Sequence, residues 1–263
     1  MRISTQNSEE PKELWLYIVI PVLCISIAEL LIFSGRMEAA IWVHAGILIT
    51  LSFSSIFIKD LEINKIHHAL MLLPVLRLIN LSIPIFFTNI LYTFICVYGL
   101  LAIPVAIIII HQWDSFTEIG ITEKHFLTYM IISVPLGFLL GLGEYLIIQP
   151  EYLIPDLTFG NIFKLTIIMV FFVGLVEELI FRSILQTRLE KSMNVQEALI
   201  IISLLFGLMH SGYGNFNEIL YTTFVGLIMG IIFYKTKSLP FVVAIHGFVN
   251  VFLFGILPYY LIR

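Results

Sequence analysis

Nine stretches of about 20 apolar residues, separated by short polar segments, dominate this chain. A helix needs about 20 such residues to cross the roughly 30 Å hydrocarbon core of a bilayer. The runs fall at about 14–33, 39–58, 66–85, 89–110, 127–148, 161–184, 196–211, 217–235 and 239–258. Composition agrees: AVILMFWYC residues make up 59% of the 263 and DEKR residues only 12%, against about 25% charged in a soluble domain. So few charges cannot wet a soluble surface of that size, and disorder needs the opposite balance. The expected fold is all-α, a polytopic transmembrane bundle of eight or nine spans. With 14 Lys+Arg and a net charge of −4, the chain lacks the basic footprint of a nucleic-acid binder. Membrane lipid is its expected surrounding, and no nucleic-acid partner is expected.

Charge placement sets an orientation. With the N-terminus inside, the inner segments hold Arg2, Lys12, Lys59, Lys65, Lys124, Arg182, Arg188, Lys191, Lys235 and Lys237, and the outer ones only Arg36 and Arg263. The positive-inside rule then predicts a cytoplasmic N-terminus. The polar, acidic start MRISTQNSEEPKELW is unlike a secretory leader and reads as a cytoplasmic tail. The third run, with Pro74, Arg77, Asn80 and Pro84, reads as broken, kinked or interfacial. The loop near 111–126 divides a four-span unit (1–110) from a five-span unit (111–263). Arg182–Glu197 alternates apolar and charged residues at helical spacing, the pattern of an interfacial amphipathic helix. Cys24 and Cys96 sit inside apolar runs and read as buried thiols.

An ionisable residue inside a span costs roughly 2.5–3.5 kcal/mol on insertion scales, so each is a functional candidate. Glu29 and Glu144 lie near helix ends and read as snorkelling; His44, His67, His68, His111 and His125 lie near boundaries, where a polar tip reaches water. Arg77 reads as interfacial. The sixth run differs: FFVGLVEELIFR carries Glu177, Glu178 and Arg182 deep in apolar sequence. Glu178 and Arg182 stand at i and i+4 in the favourable order. Glu177 is turned about 100° away at 3.6 residues per turn and needs another partner or a wet cavity. The seventh run ends ISLLFGLMH, with His210 one turn after Phe206, and the ninth contains AIHGFVN, with His246 and Asn250 on one face. One joint polar site is the cheapest arrangement for Glu177, His210, His246 and Asn250.

The ordered motifs EELIFR (177–182), FGLMH (206–210) and HGFVN (246–250) resemble the intramembrane glutamic endopeptidases of the CAAX-protease and bacteriocin-processing (CPBP, Abi-like) family, over roughly 125–260. Nothing specific is recognised in the first 110 residues. The resemblance implies a glutamate-dependent peptidase within the bilayer, whose eukaryotic relatives remove a C-terminal tripeptide after a prenylated cysteine. Carried over, Glu177 activates the attacking water, His210 assists, and His246 and Asn250 face the developing oxyanion. Glu178, Arg182 and Phe206 support the site. Peptide hydrolysis needs these parts: a base for water, a proton for the leaving amine, and donors for the tetrahedral oxyanion. The expected substrate is an apolar or lipidated peptide, with no cofactor. A zinc peptidase using His210, His246 and Glu177 or Glu178 is the nearest alternative, although HExxH is absent. A non-catalytic scaffold or a bacteriocin self-immunity protein comes next. A transporter would want repeated halves, whereas these polar residues cluster in one. Counting from the run ends puts Glu177 and His246 in the cytoplasmic half and His210 too far outside. Ser211–Asn217, with Gly212 and Gly214, is therefore expected to turn inside the protein.

Overall fold

The computed structural model describes residues 12–113 and 115–261; the acidic N-terminal tail with Arg2, and Arg263, lie outside the described residues. Among the described residues, nine helices are long and apolar enough to cross a membrane. They are α1 (Lys12–Phe33), α2 (Met37–Phe57), α3 (Leu61–Ser82), α4 (Ile90–Gln112), α5 (Phe126–Ile148), α6 (Phe159–Ser192), α7 (Val195–Leu208, its span prolonged by turns to Tyr213), α8 (Phe216–Thr236) and α9 (Leu239–Leu261). Sequence and structure agree on an all-α polytopic bundle, and the chain is an integral, multi-pass membrane protein.

Its surface is apolar and its interior holds the polar groups. On α1, Leu16, Ile20, Leu23, Ile27 and Leu30 form an exposed stripe at helical spacing, while Ile18, Ile25, Glu29 and Ile32 are buried. A lipid solvent reverses the soluble rule in this way, because an outward-facing Leu has nothing to gain from burial and a charge does. One apolar cluster runs from Ile18 on α1 to Val251 on α9, so helices of both halves share a core.

Local chemistry fixes the helix ends. Asp60 caps α3 by accepting from the backbone N–H groups of Glu62 and Ile63 at 2.9 and 3.0 Å, and Asn89 and Asn215 cap α4 and α8 likewise. The third span is not broken: α3 continues through Pro74 to Ser82 and ends in a 3₁₀ turn, Ile83–Phe86. Nor is 182–192 a separate interfacial helix. It is the last part of α6, with Arg182, Ser183, Gln186 and Arg188 all buried. Ser183 donates to the Ile119 carbonyl at 2.6 Å and Gln186 to the Gly230 carbonyl at 3.0 Å. The alternation was real, but periodicity says only which residues share a face, not whether that face meets water or protein.

Close packing sets the position of α9. Gly137 and Gly141, one GxxxG pair on α5, lie against the α9 backbone. A Cβ on Gly137 would stand 2.5 Å from Cβ of Phe248, and one on Gly141 would stand 2.9 Å from the Val249 carbonyl. Small residues at this spacing let two membrane helices approach backbone to backbone. Gly141→Val is expected to destabilise the protein by about 1–3 kcal/mol through overpacking. Thermal unfolding in detergent reads this, and an unchanged midpoint would mean that α5 and α9 separate freely.

Candidate active site

Glu177 stands on α6 between two π-helical stretches, Ile168–Gly174 and Leu179–Gln186. Such wide turns are rare and concentrate at functional sites; here they bracket both carboxylates. Glu177 accepts a hydrogen bond from the Tyr98 hydroxyl of α4, and its other oxygen lies 3.8 Å from Nε2 of His246. Behind it, Glu178 is fully buried. It accepts from Nε of Arg182 at 2.9 Å and pairs with Nδ1 of His246 at 2.8 Å. A carboxylate can only accept, so Nδ1 of His246 carries the proton. The i, i+4 pair read from sequence thus orients a histidine from another helix.

His210 follows the end of α7. Its Nδ1 lies 2.9 Å from the Phe206 carbonyl. A carbonyl can only accept, so Nδ1 holds a proton and Nε2 is left outside this bond. Phe206 is the hub of the cluster. Its ring meets Phe181 edge-on at 5.0 Å, lies 6.0 Å from the His246 ring and 5.1 Å from the His210 ring, and carries the Arg182 guanidinium at 5.2 Å from its centroid. That cation–π contact occupies a guanidinium whose two Nη atoms are buried without hydrogen-bond partners among the described residues.

These groups face one cavity of about 120 Å³, large enough for a few waters, lined by Glu177, His210, His246 and Asn250 with Phe206 at its wall. The four expected site residues therefore come together. Glu178 and Arg182 do not line this cavity but support it from behind. Five further polar residues on its lining were not anticipated there: Arg77, Asn80, Tyr98, Glu144 and Tyr213. Tyr98 gives no signal in the run LYTFICVYGLL. Arg77 and Glu144 do, through their charge, but both were placed at the membrane boundary. Instead Glu29, Arg77 and Glu144 are 0, 4 and 6% exposed, and His44 and His67 are also buried. Distance from a helix end cannot tell which way a side chain is turned.

The turn after His210 also departs from expectation. Ser211 is buried, but Gly212, Tyr213 and Gly214 are exposed, so the turn reaches the bundle surface rather than closing inside it. The depth conflict resolves differently. Glu177 stands 15 residues before Ser192, the true end of α6, not 7 before residue 184. Counted that way, Glu177 lies near the middle of α6, 18 residues after Phe159.

Fold and cavity define an integral membrane protein that encloses carboxylate, imidazole and amide side chains among its helices. Comparison with known families adds the second step. Residues 159–252 match the family model "Type II CAAX prenyl endopeptidase Rce1-like", a segment that contains all three motifs. This segment is thus similar to CAAX-type prenyl endopeptidase domains, in agreement with the CPBP resemblance of its motifs. No curated protein and no solved structure was found to be similar to the chain.

Proposed function

We propose that this protein is an intramembrane endopeptidase in which Glu177 activates water against a peptide bond of an apolar or lipidated substrate. The observation that supports this best is the convergence of Glu177, His210, His246 and Asn250 on one cavity within the segment matched by the protease family. A water held between Glu177 and His210 gives up a proton to Glu177 as its oxygen attacks the scissile carbonyl carbon. The carbonyl oxygen becomes an oxyanion, which accepts from the Asn250 amide and from His246 when its Nε2 is protonated. The C–N bond then breaks, and the proton returns from Glu177, with His210 assisting, to the leaving nitrogen. Residues 111–263 are the catalytic unit in this reading. The N-terminus is cytoplasmic by the lysine and arginine bias, and lipid is the only other partner it requires.

The zinc alternative fits these residues poorly. The Nδ1 bonds of His246 and His210 to Glu178 and the Phe206 carbonyl leave both Nε2 atoms free, as in metal-binding histidines, and so do not discriminate. Among the described residues, no three His, Cys, Asp or Glu side chains gather as a metal-binding group. The scaffold, self-immunity and transport readings need no cleavage at all. Purified protein in detergent, offered a quenched-fluorescent library of apolar peptides with and without a farnesylated cysteine, is expected to release fluorescence. Cleavage is expected to persist unchanged in 1,10-phenanthroline. Complete inertness toward the library favours the non-catalytic readings, and loss of cleavage in chelator restores zinc.

A further inference from the structure

The first three helices hold a network that the proposed chemistry does not use. Glu29 of α1 is fully buried and pairs with Arg77 of α3 through two parallel contacts, Nε to Oε1 at 2.9 Å and Nη2 to Oε2 at 2.5 Å. His44 of α2 adds its Nε2 at 3.2 Å from Glu29 Oε1. The network then reaches across to the end of α7. Arg77 Nη2 donates to the carbonyl of Met209 at 2.6 Å, and the Ser211 hydroxyl donates to Glu29 Oε2 at 2.7 Å. Met209 and Ser211 are the two neighbours of His210 in the chain, so the imidazole is held from both sides. Fork-on-fork Arg–carboxylate pairing is directional as well as strong, which makes it suited to fixing geometry. His210 needs such support because α7 ends at Leu208, leaving the histidine beyond the last regular turn.

We infer that Glu29 and Arg77 are positioning residues for His210: α1 and α3 act as a clamp that sets the imidazole's place in the cavity. The inference rests on the endopeptidase reading for its consequence and on the hydrogen bonds for its geometry, and the test separates the two. A misplacement of about 1 Å in a reacting group can lower a rate about 100-fold. Arg77→Ala is therefore expected to lower kcat about 100-fold at little-changed KM on whichever library peptide the wild type cleaves. Millimolar guanidinium is expected to restore part of that loss, which a general loss of folding would not allow. Ser211→Ala removes one hydroxyl, leaves the buried ion pair whole, and is expected to lower kcat several-fold; it stands in if Arg77→Ala fails to fold.

Hydrogen exchange at the amides of 209–214, followed by mass spectrometry in the same detergent, reads the clamp without any substrate. Both variants are expected to speed exchange there while α8 and α9 keep wild-type protection. Unchanged exchange in both variants overturns the clamp, whatever the activity. Faster exchange with wild-type kcat overturns the positioning role. If the wild type cleaves nothing, the endopeptidase reading falls on that result alone, and faster exchange still upholds the clamp as a property of the fold.

Discussion

Glu177→Gln is expected to lower kcat/KM on a cleaved peptide by about 10²–10⁴-fold, the range spanned by a positioned general base, while the protein keeps its fold and melting temperature. The two halves of that result come from different contacts. An amide is nearly isosteric with a carboxylate, and its oxygen can still accept from the Tyr98 hydroxyl. Nothing buried is left without a partner, and the 3.8 Å separation from His246 Nε2 is too long for a direct hydrogen bond whose loss would matter to stability. What the amide cannot do is take a proton from water. Tyr98→Phe provides the contrast, removing the hydroxyl that orients Glu177 without removing the base, and its loss of rate is expected to be smaller. Initial rates and thermal unfolding on the same preparations test this. A Glu177→Gln protein that folds and cleaves at the wild-type rate would remove Glu177 from the mechanism.

What the sequence made legible, and what it did not, follows from the physics of a chain in lipid. Span number and position depend only on the length and polarity of a run. The run read at about 127–148 is α5 at Phe126–Ile148, and nine runs correspond to nine helices among the described residues. The gathering of Glu177, His210, His246 and Asn250 was legible for a related reason. Polar groups inside spans must find one another or a wet cavity, and three helices offered few alternatives. The choice of partner was less legible, since it depends on helix rotation and depth, to which spacing is blind. Glu29 and Arg77 were each assigned to an interface separately, although they are 48 positions apart in sequence and bonded to each other. The π-helical stretches around Glu177 and Glu178 had no sequence counterpart, because a wide turn is imposed by packing and leaves no residue signature. The end of the sixth span was placed where charges begin, although the protein buries those charges and α6 runs on to Ser192.

The second large effect concerns stability. Arg182→Met is expected to destabilise the protein by about 3–5 kcal/mol, the usual result of removing one partner of a buried ion pair. Both side chains are fully buried, and Arg182 supplies Glu178 with a charged donor at 2.9 Å. Without it, the Glu178 carboxylate keeps only His246 Nδ1, and the Phe206 ring loses the cation it faces. The double variant Glu178→Gln/Arg182→Met should recover much of the loss. It removes the uncompensated charge, and buried ion pairs often exchange for neutral groups of similar volume at little net change. The amide oxygen that Glu178→Gln introduces can still accept from His246 Nδ1, so the double variant is also expected to be more active than Arg182→Met alone. Chemical unfolding in mixed micelles, with cleavage measured beside it, separates the two contributions. If Arg182→Met proves as stable as the wild type, Glu178 has another charged donor and the pair does not hold this part of α6 together. If stability recovers in the double variant and activity does not, the ionised Glu178 acts on His246 through its charge as well as its geometry.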